Sequence, residues 1–494
     1  MQATKNYFIK TNRAFSRIRK YGWIFTVLVA VGGLWQPRLG LLVVGIMAGL
    51  LGTSFFSGRL WCGNFCPHGS LFDNIIQPFS SNRKLPAFVK SKWFIGAFFL
   101  FFAISFSRKM INIVSLWGTY SFLDRLGLIF VNTYLMVLVV GGGFALLVNS
   151  RTWCQFCPMG TLQKLSYRLG SALGIAKHTE KKITLESKDK CHNCGKCSRV
   201  CPFQLTPYLE FNDNNQFDDI NCIKCTTCVE NCPGNLLSLQ TAKEAKKLIE
   251  MSDLTGYRDR RRFTATLTEI KDLGGELREF VFRSHKDVSY QAGQFILIKI
   301  QDDPIQFRAY SISSANEDNR TIKVIIKKVK NGYGTDIIFS FKEGAQITLE
   351  GPMGNHLVPT EDTKKMLFIA NGIGITPFIG LVRDSLNGRS GLESVKLLNG
   401  QRHIRDFIYH DDFKACEDNH PVFEYHAAAS REEEEGYHKG YVTGLLKEMD
   451  VTGHKVYMCG STAMIRECHE ILLEKGIKSE DIFYESEERL QLSA

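Results

Sequence analysis

A chain of 494 residues is long enough for several domains at roughly 100–200 residues each. Its 61 lysines and arginines against 50 acids leave a net charge of +11, and six of the cations (Lys5, Lys10, Arg13, Arg17, Arg19 and Lys20) fall in the first twenty residues with no acid among them. A hydrophobic segment follows at Tyr21, so this arm reads as the cytoplasmic flank of a membrane span and not as a nucleic-acid arm; no small-residue cleavage site marks it as a signal peptide.

Four apolar runs follow, Tyr21–Trp35, Leu39–Phe56, Trp93–Phe106 and Leu126–Val148. A span needs about 20 residues. The second and fourth meet that length; the first and third are short, and Arg19, Lys20, Lys90 and Lys92 at their ends would snorkel to extend them. The alternative for a short run is a buried or interfacial helix. Four spans with the N-terminus inside put the basic arm, Arg59, Arg83, Lys84, Lys90, Lys92, Arg151 and Lys164 on the cytoplasmic side and leave only Arg38, Arg108, Lys109 and Arg125 outside. The expectation is a multi-pass protein in contact with membrane lipid, in a bacterial-type inner (cytoplasmic) membrane, with its cofactor domains facing the cytoplasm.

This part contains a repeat. Ser57–Leu71 (SGRLWCGNFCPHGSL) matches Asn149–Leu162 (NSRTWCQFCPMGTL), each directly after a long apolar run. The first supplies Cys62 and Cys66, the second Cys154 and Cys157. Two pairs meeting at a pseudo-twofold give four thiolates, enough for a third iron–sulfur centre at the membrane; the alternative is a set of reduced structural cysteines. The repeated motif resembles the membrane polyferredoxin family, and that resemblance implies a link between quinol pools or other membrane donors and respiratory reductases. Its usual spacing has three residues between cysteines, as in Cys62/Cys66; Cys154/Cys157 has two. No histidine lies inside the four runs and no C-x-x-C-H occurs, which speaks against b- and c-type haem. His68 is either a donor to a quinone or cluster sulfide or a solvated loop residue. Gly141–Gly143 fit close helix packing.

From Cys191 to Cys232 the chain reads C-x2-C-x2-C-x3-C-P twice, the two-cluster ferredoxin spacing. Three thiolates on a tight loop hold three corners of one cube and the fourth faces the other. Cys191, Cys194, Cys197 and Cys232 are therefore assigned to one [4Fe-4S] cluster, and Cys222, Cys225, Cys228 and Cys201 to the second. Zinc sites or disulfides are the alternatives. The stretch resembles bacterial ferredoxins, and such clusters need a reducing compartment.

Residues 236–254 read as a charged linker helix. From Phe263 the period becomes two, in TATLTEI, EFVFRS, FILIKI, TIKVIIKKV and AQITLE, which predicts a small antiparallel barrel. From Lys365, KMLFIANG, VKLLNG, VFEYHAA, KVYMCGS and DIFYES alternate with helical stretches, which predicts a parallel α/β layer of dinucleotide-binding type. Arg308-Ala-Tyr310-Ser311 in this setting resembles the ferredoxin–NADP reductase family over roughly residues 262–490. The resemblance implies that Arg308 pairs with the FAD pyrophosphate, Tyr310 stacks on the isoalloxazine and Ser311 bonds near flavin N5. It likewise implies further flavin phosphate contacts at Gly334, Thr335, Gly351 and Gly354, a nicotinamide pyrophosphate turn with Gly372, Gly374, Thr376 and Pro377, and a turn beneath the nicotinamide at Cys459 and Gly460. Tyr310, Ser311 and Cys459 are the candidate catalytic residues. Ser430-Arg431 resembles a 2′-phosphate contact, but Glu432–Glu435 would repel that phosphate, which favours NADH. The stacking aromatic near Phe483, Tyr484 and Glu485 stays unassigned, and Cys416 and Cys468 read as ordinary thiols.

The expected architecture is multidomain: a four-helix transmembrane domain (1–175), a small α+β ferredoxin domain (180–236), a helical linker (237–261), an antiparallel FAD-binding barrel (262–360) and an α/β NAD(P)-binding domain (361–494). The expected function is a membrane-bound oxidoreductase moving electrons between NAD(P)H and a quinone, or a membrane or extracytoplasmic redox protein, through FAD and iron–sulfur clusters. The alternative is a relay or maturation component that feeds a partner protein and has no small acceptor of its own.

Overall fold

The computed structural model describes residues 7–119 and 121–486. Lys5 of the basic arm and the terminal ERLQLSA lie outside the described residues. Two compact units emerge, Met1–Lys188 with Gly195–Ser252, and Asp189–Cys194 with Asp253–Ala494.

In the first unit, three helical segments are long and apolar enough to cross a membrane: Pro37–Ser57, Lys92–Val114 and Ser121–Leu147. Four were expected. The first apolar run yields an eight-residue helix, Trp23–Ala30, because Gly32-Gly33 tighten it into a 3-10 turn and Pro37 starts the next element. The third run is longer than expected. No glycine or proline lies between Phe106 and Val114, so the helix continues to Val114 through Arg108 and Lys109, which the four-span reading puts in an outer loop. Gly40 and Gly127 touch each other's helix backbones, where a side chain on either would overlap a carbonyl. Gly141 packs against Phe72 and Trp153, whereas Gly143 faces open space, so the packing expected of the glycine run holds at its first member.

The basic arm is not uniformly a solvated flank. Lys10, Arg17 and Lys20 are exposed, but Arg13 and Arg19 are buried. The arm also straps the ferredoxin part, with Ile9 N–H donating to the Arg199 carbonyl at 2.9 Å. In that part β1 (Lys182–Leu185) pairs antiparallel with β2 (Leu237–Gln240). β2 therefore takes the first residues of the expected linker, and the helix is shorter, Ala242–Glu250, closed at its start by a capping box between Thr241 and Glu244.

The second unit contains two six-stranded sheets. β3 (Arg261–Asp272), β4 (Leu277–Ser284), β5 (Phe295–Asp302), β6 (Ile305–Ser311), β7 (Thr321–Lys327) and β8 (Gln346–Met353) form an antiparallel sheet in the order β6-β5-β8-β3-β4-β7. β6, which carries Arg308 and Tyr310, was not among the strands read from periodicity. β9 (Lys365–Asn371), β10 (Ser394–Gln401), β11 (Phe423–Ala429), β12 (His438–Lys439), β13 (Lys455–Gly460) and β14 (Ile482–Ser486) form a wholly parallel sheet in the order β12-β11-β10-β9-β13-β14. Along β9, Met366, Phe368 and Ala370 enter one core while Leu367 and Ile369 enter the core on the opposite face.

Candidate redox sites

The two membrane motifs fold alike and interlock. Cys62 lies on the short helix Leu60–Asn64 and Cys154 on Thr152–Phe156; Cys66 and Cys157 sit directly before the prolines that open the next helices. All four are free, as are the other eleven cysteines, which removes the disulfide alternative. Cys62 and Cys154 are buried in one apolar core with Trp153, Phe156, Phe203, Ile223 and Cys225, and Cys157 and Cys201 pack against it. The structure therefore gathers cysteines of both membrane motifs and of the ferredoxin into a single core.

Each motif's arginine reaches the other repeat. Arg59 Nη2 lies 3.8 Å from Cys62 Sγ and donates to the Cys154 carbonyl at 3.0 Å. Arg151 Nη1 lies 3.5 Å from Cys154 Sγ. A Cβ at Gly160, in the second motif, would lie 2.8 Å from Arg59 Nη2, and one at Gly69, in the first, 2.7 Å from Arg151 Nη1. The glycine of each C-P-x-G leaves room for the other repeat's guanidinium. Arg151 is held by Asp73 at 2.6 Å, and the same carboxylate pairs with Arg13 at 3.2 Å and with Arg19. Burial opposes ionisation of Asp73, but Arg151, Arg19 and Arg13 outweigh it and hold the carboxyl far below its ordinary range.

The donor set fits an anionic iron–sulfur group. Gln163 Nε2 donates to Cys62 Sγ at 3.1 Å, and the Gly69 N–H to Cys66 Sγ at 3.4 Å. Burial pushes the Cys66 and Cys157 thiols up to about 12. Arg59, 2 % exposed, has an Nε without an acceptor among the described residues. Such a cation is tolerated when negative charge is delivered beside it. Among the described residues no three cysteine, histidine or carboxylate side chains converge as ligands of a single metal ion. A mononuclear zinc site draws its sulfurs to about 2.3 Å from one ion, whereas a four-iron cube gives each thiolate an iron of its own.

The ferredoxin loops repeat a backbone pattern. Asn193 and Gly195 in the first motif, and Lys224 and Thr226 in the second, all take left-handed conformations, with Thr226 at φ 57° despite its β-branch. Alternating handedness turns successive N–H groups toward one point, the arrangement of an anion nest. One cavity is lined by Cys201, Cys222, Cys225 and Cys228, the four thiols assigned to the second cluster. That loop abuts the first membrane motif. A Cβ on Gly63 would overlap the Ile223 carbonyl, and Asn64 Nδ2 donates to the Lys224 carbonyl at 3.2 Å. Lys224 Nζ in turn donates to the Ser57 carbonyl at 2.8 Å and pairs with Glu180 at 2.5 Å.

In the second unit, Cys191 and Cys194 flank a loop packed on the barrel. Arg308 Nη1 donates to the Cys194 carbonyl at 2.9 Å, the Phe307 N–H donates to the Asn193 carbonyl at 3.3 Å, and the His192 ring meets Phe295 edge-on at 5.0 Å. Arg308 Nη2 is buried with no acceptor among the described residues, which fits a phosphate oxygen there. Gly334 is required beside it, since a Cβ would lie 2.8 Å from Arg308 Nε; Thr335 follows at the start of the helix Tyr333–Ile338. Tyr310 and Ser311 oppose Ile296 and Phe295 across β5–β6. Burial raises the Tyr310 hydroxyl to about 12.

The turn expected to hold the nicotinamide pyrophosphate closes on the end of β13. A Cβ at Gly374 would overlap the Cys459 carbonyl, Gly372 has a left-handed φ of 57°, and Thr376-Pro377 open the helix Thr376–Gly388. Asn371 fastens this turn to β13, its Oδ1 accepting from the Ser461 N–H at 2.8 Å against Gly460. Gly351, in a cis peptide with Pro352, and Gly354 end β8; a Cβ at Gly354 would lie 2.8 Å from Phe295 and 4.0 Å from the Glu485 carboxylate. Glu485 pairs in register with Cys459, and burial raises its carboxyl to about 7. Sequence reasoning named Glu485 without assigning it a role. The only signal was its place on the last strand, and its closeness to both Cys459 and Gly354 exists only in three dimensions. Asp73 and Gln163 were missed too, because neither belongs to the repeated residues. Of the glutamate run, Glu432 is held by His403 at 2.8 Å and by the Ile404 N–H at 2.6 Å.

Four family descriptions match the chain: an oxidoreductase FAD-binding domain over residues 264–357, an oxidoreductase NAD-binding domain over 368–470, a 4Fe-4S dicluster domain over 183–233, and a 4Fe-4S binding domain over both 39–86 and 131–175. The phenol hydroxylase P5 protein of Acinetobacter pittii (strain PHEA-2) is 27 % identical over 232 residues, 45 % of this chain and 65 % of that protein. The naphthalene 1,2-dioxygenase system ferredoxin–NAD(P)(+) reductase component of Pseudomonas putida is 26 % identical over 223 residues, 44 % of this chain and 66 % of its own length. The chain thus spans just under two thirds of each of these relatives. A solved ferredoxin NADP+ reductase from Neisseria gonorrhoeae with bound FAD and NADP aligns with 46 % of this chain and 98 % of its own, at 18 % identity and a TM-score of 0.41.

Proposed function

We infer the function from a chain that fuses 4Fe-4S ferredoxin domains with the FAD-binding and NAD-binding domains of the oxidoreductase families. The reading is an NAD(P)H-dependent flavin and iron–sulfur oxidoreductase, membrane-bound, that moves electrons between NAD(P)H and a quinone or a membrane-associated redox partner. When bound, FAD would supply hydride acceptance from the nicotinamide, and iron–sulfur clusters would supply one-electron transfer.

The residues of this chain supply the holding and orientation. Arg308, with its free Nη2, and the Gly334-Thr335 turn would hold the flavin phosphates, and Gly351 and Gly354 leave room beside them. Tyr310 would present a flat face and Ser311 a hydroxyl to the ring. The Gly372–Pro377 turn and Cys459-Gly460 would cradle the nicotinamide nucleotide, with the Glu485 carboxyl close by to hold a proton. Cys191, Cys194, Cys197 and Cys232, and Cys222, Cys225, Cys228 and Cys201, would hold two clusters. Cys62, Cys66, Cys154 and Cys157 would hold a third.

The observation that carries the reading is the hydrogen bond from Arg308 to the Cys194 carbonyl, which makes the flavin-anchoring arginine and a ferredoxin cysteine loop one piece of structure. The shared core of Cys62, Cys154 and Cys225 supports the membrane end of the route. Three helices of spanning length and composition support the membrane placement. In the anaerobic, cofactor-loaded protein, NADH or NADPH should bleach the flavin and bring up cluster EPR signals, and a soluble quinone analogue should then turn over. Flavin bleaching with silent iron would refute the reading. The relay alternative is favoured by the Pseudomonas putida relative, which is named as one component of a larger system. Cluster reduction without quinone turnover would support it.

A further inference from the structure

The duplicated membrane motif is not electrically symmetric. Arg151 is fully buried, and its charge is met by Asp73 at 2.6 Å. Arg59, its counterpart three residues before the first cysteine, is as deeply buried, yet among the described residues no carboxylate pairs with it. It rests against Cys62 Sγ at 3.8 Å, the Cys154 carbonyl at 3.0 Å and the Phe203 ring at 4.7 Å. Counted from Cys157 as Asp73 is counted from Cys66, the matching position in the second repeat is Lys164, a further cation and not a counter-ion. On the ferredoxin side the comparable cation, Lys224, is neutralised by Glu180 at 2.5 Å. Phe203 follows Cys201-Pro202, so the guanidinium that touches Cys62 and Cys154 of the membrane motifs also touches the residue two positions after a ferredoxin cysteine.

Reduction adds one negative charge to a centre, and a fixed, desolvated cation in contact with a ligand sulfur favours the reduced form. The Gln163 Nε2 bond to Cys62 Sγ at 3.1 Å acts in the same sense. We propose that Arg59 sets the reduction potential of the centre held by Cys62, Cys66, Cys154 and Cys157 above that of its ferredoxin neighbour, and so directs electrons from the ferredoxin cysteines to the membrane motif. The inference rests on the reading that these four cysteines hold a cluster. In each transfer the ferredoxin-side cluster is oxidised by one electron and the membrane-side cluster reduced by one. The electrons originate in the hydride of NAD(P)H.

EPR-monitored redox titration of the full-length, cluster-loaded protein tests this. At the wild-type midpoint, Arg59→Gln should lower the reduced-to-oxidised ratio of the membrane-side signal at least tenfold, equivalent to 59 mV for one electron, and Arg59→Lys should keep it within about twofold. Lys164→Asp, which leaves Arg59 in place and offers it the carboxylate that Arg151 enjoys, should shift the ratio in the same direction as Arg59→Gln. Should Arg59→Gln fail to assemble its iron, the Lys164→Asp result decides alone. Ratios within twofold of wild type in the assembled variants would overturn the role of Arg59. A Cys62→Ser/Cys154→Ser protein with every wild-type signal intact would instead remove the cluster itself, and with it the reading beneath.

Discussion

Gly69 and Arg151 belong to different repeats, yet they are fitted to each other: a methyl group on Gly69 would lie 2.7 Å from Arg151 Nη1 and 3.0 Å from Nη2. Arg151 cannot retreat, because Asp73 grips it through Nε at 3.0 Å and Nη2 at 2.6 Å. Gly69→Ala is therefore expected to destabilise the membrane part by about 1–3 kcal/mol through overpacking. Iron content per polypeptide and the thermal midpoint in detergent should both fall, and Gly160→Ala should do the same through Arg59.

Asp73→Asn removes the one carboxylate shared by three buried arginines. Breaking a buried ionic network from one side costs roughly 3–5 kcal/mol. The variant should lose the bulk of its folded yield, whereas Arg38→Ala, which breaks an exposed pair with Asp124, should change it by less than about 1 kcal/mol. Detergent-solubilised yield and thermal unfolding compare the two.

Gly63→Ala would push the first membrane motif off the Ile223 carbonyl. Flavin reduction by NAD(P)H should keep its wild-type rate in stopped-flow measurements, because the barrel and nicotinamide turn are untouched. Reduction of the membrane-side signal should slow at least tenfold.

Arg308→Ala should weaken FAD binding by roughly 1.5–3 kcal/mol, the range of a hydrogen bond to a charged group, which is about ten- to a hundredfold in dissociation constant. Ultrafiltration of the reconstituted protein, with FAD counted by absorbance, measures it.

Glu485 gives a pH dependence with a definite sign. Its folded carboxyl keeps a proton up to about 7, whereas an unfolded one releases it near the ordinary value of 4.5. The unfolded chain thus binds fewer protons in that window, and the stability of the nicotinamide domain should fall as pH rises from 4.5 to about 7 and level off above. Glu485→Gln should remove that slope. A protonated-carboxyl infrared band that fades around pH 7 in wild type and is missing from the variant would identify the group.

Short-range patterns carried much of this protein. The paired C-x2-C-x2-C-x3-C-P motifs, the duplicated W-C and C-P-x-G, and R-x-Y-S are dictated by local geometry: a cysteine loop has to bend through left-handed residues such as Lys224 and Thr226, and a strand has to alternate, as Met366 through Ala370 do. Composition also marked the apolar runs, but not their true ends, since Gly32-Gly33 broke the first and the lack of any breaker let the third reach Val114. Only the tertiary structure decided that Arg13 and Arg19 leave the basic flank for Asp73, that Glu485 comes to lie near Gly354, and that among the described residues no carboxylate pairs with Arg59 where Asp73 pairs with Arg151. Burial and charge pairing are sums over residues distant in sequence, sixty positions apart for Arg13 and Asp73 and more than one hundred and thirty for Gly354 and Glu485. A motif fixes which atoms are present, and the fold fixes which charges are left without a partner.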